Sequence, residues 1–98
     1  MVEGAKVAVV TGSSQGVGEG IALGLAAEGW DVAVNYNRNR GGAESTAERI
    51  EEMGRRAWVV QADVGSGDQV KAMFAIVAEA TGRLDLLVSE GDMAARRA

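Results

Sequence analysis

Cysteine, histidine and proline are absent from the 98 residues, and aromatic side chains account for only 4% of them. Without cysteine, neither a disulfide framework nor a thiolate metal site can form. Without histidine, the commonest general base and the commonest metal ligand are both missing. Because the chain has 14 glycines and no proline, glycine must form nearly all of its tight turns.

Charge and hydropathy exclude further classes of protein. A net charge of −4 argues against a nucleic-acid surface, which needs clustered Lys and Arg. No apolar run approaches the roughly 20 residues of a membrane span, and Met1 to Lys6 lacks the basic stretch and apolar core of a signal peptide. The composition, 47% hydrophobic and 24% charged, is typical of globular proteins. We therefore expect one small cytoplasmic domain.

Short apolar runs alternate with segments of helical periodicity along the chain. The apolar runs predict four buried strands, at Lys6–Thr11, Asp31–Tyr36, Ala57–Ala62 and Leu84–Val88. The periodic segments predict three helices, at Gly16–Glu28, at Ala43–Met53 and from a Ser66–Gln69 capping box to Gly82. The alternation predicts an α/β fold, an incomplete Rossmann-type doubly wound parallel sheet with the strand order 3-2-1-4 and three helices.

The same pattern predicts how the helices pack. Val17 begins the apolar face of the first helix, and Met53 ends that of the second. Between them, Asn37–Gly42 is expected to be a polar loop. Gly20 and Gly24 each cost the first helix about 1 kcal/mol relative to alanine, so we expect close packing at both.

A glycine-rich segment, Thr11–Gly18, follows the pattern T-G-x-x-x-G-x-G between a strand and a helix. Gly12 permits a tight turn, Gly16 lets the backbone approach a pyrophosphate, and Gly18 lets the helix pack closely. The free N–H groups and the positive end of the helix would then face phosphates. A glycine-rich turn that binds nothing is the alternative, but the flanking elements favour a dinucleotide site. No Gly-Lys-Ser/Thr follows, which excludes a P-loop NTPase.

Three segments together resemble the short-chain dehydrogenase/reductase family. They are Thr11–Gly18, Asp63-Val64 after the third strand, and Gly82–Val88 at the fourth. The resemblance is nearest to the 3-oxoacyl-(acyl-carrier-protein) reductase and glucose dehydrogenase branch, and it runs from residue 5 to residue 88. It implies an NAD(P)-binding Rossmann half-domain over residues 1–88 and a divergent tail over 89–98.

The resemblance also implies a set of cofactor-binding residues. Those that would line the pyrophosphate and the adjoining ribose are Gly12, Ser14, Gln15, Gly16, Val17 and Gly18. Asp63 and Val64 would hold the adenine, with Asp63 accepting from its amino group. The alternative for Asp63 is a strand-end carboxylate that fixes a turn.

The end of the second strand bears on the choice of cofactor. An NAD enzyme places an acidic residue there to accept from the ribose 2′-OH, whereas this chain has Tyr36, Asn37 and Arg38. Since Arg38 can pair bidentately with a 2′-phosphate, NADP(H) is favoured and NAD is possible. A solvated loop is the alternative for Arg38, and Gln15 stands where many NADP-preferring members have a basic residue.

Catalysis in the family uses a Ser, a Tyr and a Lys four residues after the Tyr. The single tyrosine here is Tyr36, with Arg40 four positions on, and the two lysines are Lys6 and Lys71. After Val88 the family motif N-N-A-G is also replaced. We therefore expect no catalytic residue in this chain. We also expect a truncation after the fourth strand, with three alternatives: a truncated gene product, a frameshifted one, or a piece cut from a longer protein.

Three functional hypotheses follow from these residues. The first is the cofactor-binding portion of a carbonyl or 3-oxoacyl reductase that depends on a partner chain for its second half. The second is a non-catalytic nucleotide-binding or protein-interaction module. A methyltransferase is least favoured, because it usually has an acidic residue at the position of Tyr36. In either of the first two, the fourth strand is expected to be an exposed edge that pairs with another copy or a partner chain.

Overall fold

A computed structural model describes residues 5–89 and 95–96. Four parallel strands, β1 (Val7–Val10), β2 (Asp31–Tyr36), β3 (Ala57–Gln61) and β4 (Leu86–Val88), stand in the order 3-2-1-4. The helices between them are α1 (Gly16–Ala27), α2 (Arg40–Glu52) and α3 (Gly67–Thr81). The predicted Rossmann-type fold is therefore confirmed.

The central strands owe their position to two apolar runs, Val7–Val10 in β1 and Val32–Val34 in β2. Every residue of β1 and β2 is buried, as expected for parallel strands covered on both faces. One core cluster joins the sheet to α1 and α2 and includes Ile50, and a second joins it to α3 through Met73 and Val77. Helices thus cover both faces of the sheet.

The predicted inward face of α1 was correct only in part: Ile21 and Leu25 pack against the core, but the buried face lies one position further along the helix. Val17 is 64% exposed, whereas Gly18, Ala22 and Ala26 are the buried residues of the helix. Met53, which is 45% exposed, lies beyond the last residue of α2 and so does not belong to its inward face. Small side chains on the buried face let α1 lie close to the sheet, which the periodicity of larger apolar residues does not reveal.

The capping box predicted for α3 forms only in part. Ser66 Oγ accepts a hydrogen bond from Gln69 N at 3.3 Å, and Gly82 ends the helix with a φ of 78°. The Gln69 side chain does not return to Ser66, however. Its Oε1 atom accepts from Asp63 N at 2.8 Å, so it supports the turn that follows β3.

The expectation that β4 forms an exposed edge was also wrong. A fifth strand, β5 (Ala95–Arg96), pairs antiparallel with it, with Leu87 opposite Arg96 and Val88 opposite Ala95. The edges of the sheet are thus β3 and β5, and residues 95–96 of the expected tail add to the sheet. Because β5 pairs with β4, the unpaired edge that was the reason to expect self-association is absent there. Self-association stays a prediction that light scattering can test.

Asp85 ties the start of β4 to β1. Its Oδ2 atom accepts from Val7 N at 2.8 Å, and Arg83 donates to both carboxylate oxygens, each at 2.8 Å. The hydrogen bonds from the Arg83 guanidinium lower the pKa of Asp85 below its ordinary value of 3.8. The charged form of this carboxylate is therefore the one that stabilises the fold.

Asp85→Ala should reduce the free energy of unfolding at pH 7 by about 1–3 kcal/mol, because Val7 N–H loses its acceptor. Since the folded pKa is depressed, the contribution of Asp85 is present above its ordinary pKa and is lost as the pH falls through the lower, folded pKa. Urea unfolding at pH 7 and at about pH 3 measures both effects. Asp85→Asn, which keeps an acceptor for Val7, should lose less at pH 7. Equal stability of Asp85→Ala and the unaltered chain would contradict this account.

Candidate functional site

A cleft of about 310 Å³ lies beside the glycine-rich turn, where the carboxyl ends of β1 and β2 meet. Its lining residues are Gly12, Ser14, Gln15, Asn37, Arg38 and Asn39. All of them except Asn39 were predicted from the sequence as cofactor-binding residues. Ligands of open α/β sheets bind at this end of the strands.

The glycines of the turn have distinct structural roles. Gly12 and Gly16 have φ values of 60° and 67°, which favour glycine. A Cβ on Gly18 would lie 2.8 Å from the carbonyl carbon of Gly12 and 3.0 Å from Cα of Ser13. Gly18 therefore lets α1 pack closely against the turn that follows β1.

Buried hydroxyl groups form hydrogen bonds that hold the turn in place. Ser13, which is fully buried, donates from Oγ to the Val10 carbonyl at 2.7 Å and accepts from Asn35 N at 3.1 Å. Thr46 of α2, also fully buried, donates from Oγ1 toward the Ser13 carbonyl at 3.1 Å. None of these residues was predicted from the sequence to support the site. For Asn35 the signal was a polar side chain within a strand that is buried throughout. Ser13 and Thr46 gave no such signal, because the segments around them are partly exposed.

The N-terminus of α1 differs from those of the other helices. Its N-cap residue, Gln15, makes no side-chain hydrogen bond to the first turn, whereas Asn39 caps α2 and Ser66 caps α3. The first N–H groups of a helix have no partner within the helix. At α1 they are therefore free of side-chain acceptors and carry the positive end of the helix dipole.

The second wall of the cleft is Asn37–Asn39, directly before α2. This helix begins at Arg40, inside the segment that was predicted to be a loop. Asn39 accepts from Gly42 N at 2.9 Å and donates to Gln15 Oε1 at 2.8 Å, so it links the two walls. A Cβ on Gly42 would collide with the Ser14 carbonyl. Gly41 and Gly42 lower the apparent helix propensity of this segment. The close contact between α2 and the turn nevertheless requires a glycine at position 42.

Arg38 and Arg40 differ in their surroundings. Arg40 Nε lies 3.0 Å from Glu44 Oε2, one helical turn along α2. Arg38 is exposed, lines the cleft and makes no ion pair with any residue that the structure describes. Arg38 is also the single charged residue among those that line the cleft.

The other predicted site residues do not line this cleft. Tyr36 is 9% exposed and packs in the core with α1 and α2. Asp63 follows β3 and is exposed, and its Oδ1 atom accepts from Gly65 N at 2.9 Å, the bond expected of a turn-fixing carboxylate. Val64 is 52% exposed beside it. Gly16 and Val17 lie in the first turn of α1, where both are exposed.

The family of the chain is decided by its similarity to known proteins. Residues 6–96 match the short chain dehydrogenase family. The chain belongs to the short-chain dehydrogenase family. Members of this family are oxidoreductases that bind a nicotinamide dinucleotide. The predicted resemblance is thus confirmed, and the match extends beyond Val88 to the strand β5.

Named relatives agree with this assignment. The chain is 45% identical over 84 residues to the 3-oxoacyl-[acyl-carrier-protein] reductase FabG of Staphylococcus epidermidis, covering 86% of this chain and 34% of that protein. It is 44% identical over 84 residues to 1-cyclohexenylcarbonyl-CoA reductase of Streptomyces collinus, covering 86% and 30%. The acetoin dehydrogenase structure from Enterobacter cloacae superposes with a TM-score of 0.82 at 36% identity, covering 90% and 35%. The chain spans about a third of the length of these relatives.

The part of the chain that the structure describes contains neither a candidate metal centre nor a candidate membrane-spanning helix. No group of three or more acidic side chains there could hold a metal ion. No helix there has the length and apolarity needed to cross a bilayer.

Proposed function

We propose that this chain is the NADP(H)-binding portion of a short-chain dehydrogenase/reductase that acts on a carbonyl or 3-oxoacyl substrate. The observation that carries the proposal is the cleft between the α1 N-terminus, which has no side-chain cap, and the cation of Arg38. Two anionic groups of NADP(H), the pyrophosphate and the 2′-phosphate, suit these two features. Once bound, the nicotinamide supplies hydride transfer.

Each part of the dinucleotide has a proposed set of partners. The pyrophosphate would accept from backbone N–H groups at the start of α1, near Gly16 and Val17, as anions do at helix N-termini. Gly12 and Gly16 leave space for it, because neither has a side chain. The adenine would lie near Asp63 and Val64, at the end of β3.

The 2′-phosphate would lie in the cleft beside Arg38 and Asn37. A guanidinium pairs with phosphate through two parallel hydrogen bonds, and no described carboxylate competes for Arg38. Tyr36 is packed in the core, so it would shape the ribose site mainly by positioning the backbone. NAD(H) lacks the 2′-phosphate and would bind more weakly.

Arg38→Asp should reverse the preference between NADPH and NADH. Loss of a charge-assisted pair and the repulsion of a new carboxylate together should weaken NADPH binding about 10- to 100-fold. Isothermal titration calorimetry measures both affinities. The matched control is Arg40→Asp, since Arg40 pairs with Glu44 and should leave the preference unchanged. If both variants lose the preference equally, the effect is one of general charge and the assignment of Arg38 is wrong.

Hydride transfer to a carbonyl also needs a proton donor, and the family uses a Tyr-Lys pair for it. Among these 98 residues the single tyrosine, Tyr36, is in the core, and neither Lys6 nor Lys71 is near it in sequence. We therefore place the catalytic residues outside these residues, on a partner chain or another segment. The named relatives are reductases and a dehydrogenase, which favours this function over a non-catalytic module. A cytoplasmic location stays a prediction from the sequence.

A further inference from the structure

Asn35 is a polar residue at a position where the sheet is otherwise apolar. It lies near the carboxyl end of β2 and is 2% exposed. Asparagine is disfavoured in strands, and a buried amide is costly unless its donor and acceptor are both satisfied. The function proposed above gives this side chain no direct contact with the cofactor.

The Asn35 side chain forms hydrogen bonds with two segments that lie far apart in the sequence. Its Oδ1 atom accepts from Gly12 N at 3.0 Å, at the first residue of the glycine turn. Its Nδ2 atom donates to the carbonyls of Ala62 at 3.2 Å and Val60 at 3.3 Å, at the end of β3. Both halves of the amide are therefore used, the oxygen toward the glycine turn and the nitrogen toward the end of β3.

The contact with Ala62 reaches the proposed adenine site. The Ala62 carbonyl and Asp63 N–H belong to one peptide group. Asn35 donates to its oxygen, and Gln69 Oε1 accepts from its nitrogen at 2.8 Å. This peptide group is thus held from both sides directly before Asp63.

From these contacts we infer that Asn35 is a positioning residue, which fixes the glycine turn and the Asp63 peptide at one spacing. A primary amide is suited to this role because it presents an acceptor and a donor at a fixed distance. Leucine has a similar size but offers neither group. An aspartate would keep the acceptor for Gly12 and place a second oxygen against two carbonyls. The inference has an ordering part, that Asn35 fixes the two segments, and a binding part, that their spacing is needed for the cofactor. The binding part rests on the proposed function, and the ordering part does not.

Amide hydrogen exchange without ligand tests the ordering part. In Asn35→Leu, the amides of Gly12 and Asp63 should exchange at least about tenfold faster relative to Val9 in the middle of β1, as expected for local opening. The control is Ile50→Val, a core change away from the turn, which should speed exchange by a similar factor at all sites. A uniform change in Asn35→Leu as well would show a purely structural role and overturn the inference.

Titration with 2′,5′-ADP tests the binding part. Asn35→Leu should bind about tenfold more weakly than the unaltered chain, the effect of misplacing about one hydrogen bond, while Ile50→Val should bind equally well. If Asn35→Leu does not fold, the unaltered chain still decides. Its Asn35 side-chain amide resonances should shift when 2′,5′-ADP binds, and unshifted resonances would overturn the inference. Failure of the unaltered chain to bind would count against the proposed function alone, because the exchange experiment still decides the role of Asn35.

Discussion

Gly18→Ala is expected to destabilise the chain by about 3 kcal/mol or more, whereas Gly24→Ala in the same helix is expected to stabilise it. The methyl group at position 18 would overlap backbone atoms of Gly12 and Ser13. Backbone atoms in a constrained turn cannot move aside as a flexible side chain can, so the cost lies at the upper end for overpacking. A chain of this size has a small margin of stability, and a large fraction should be unfolded.

The close packing expected at Gly20 and Gly24 was wrong, because a Cβ at either position would have no neighbour within 4 Å. Both positions therefore serve as matched controls. Alanine there removes conformational freedom from the unfolded chain and improves helix propensity, by roughly 0.5–1 kcal/mol. Thermal and urea unfolding of the three variants would measure these differences. If Gly18→Ala proves as stable as Gly24→Ala, α1 does not approach the turn as the structure shows.

The second large effect is the absence of turnover by the 98-residue polypeptide alone. A positioned proton donor contributes about 10²–10⁴-fold to such reactions, and Tyr36 is buried away from the cleft. NADPH oxidation with acetoacetyl thioesters or activated ketones should therefore equal the buffer blank. A full-length reductase of the family, assayed alongside, serves as the positive control.

Saturable turnover by the pure chain would contradict this expectation if substituting one of its own residues abolished it. Tyr36→Phe is the sharpest such substitution, since it removes the single phenol and preserves the core packing. Activity that survives Tyr36→Phe would point to a contaminating enzyme. That contaminant would have to be removed by further purification before the chain is compared with the buffer blank.

The fold was predictable because its signals are local and repeated. Apolar runs such as Val7–Val10 of β1 and Val32–Val34 of β2 indicate strands buried on both faces. The alternation of strands with helices restricts the topology to very few arrangements. The glycine turn was predictable for the same reason. Gly12 and Gly18 are required by backbone geometry, which any side chain would disturb.

The features that were missed depend on contacts between distant segments. The buried face of α1 consists of small residues such as Ala22, because the helix lies close to the sheet. Helix α2 begins early because Asn39 caps it and Gly42 packs on the turn. The roles of Asn35 and of the strand β5 likewise arise from pairing across the sheet. No spacing within one segment indicates such contacts.

The central claim is that the chain binds NADP(H) in the cleft beside Arg38, and calorimetric titration of the purified chain with NADPH and then NADH tests it most directly. We expect saturable binding of one NADPH per chain, with an affinity about tenfold or more above that for NADH, the value of one charge-assisted pair. Equal affinities for the two cofactors, or no binding of either, would contradict the account.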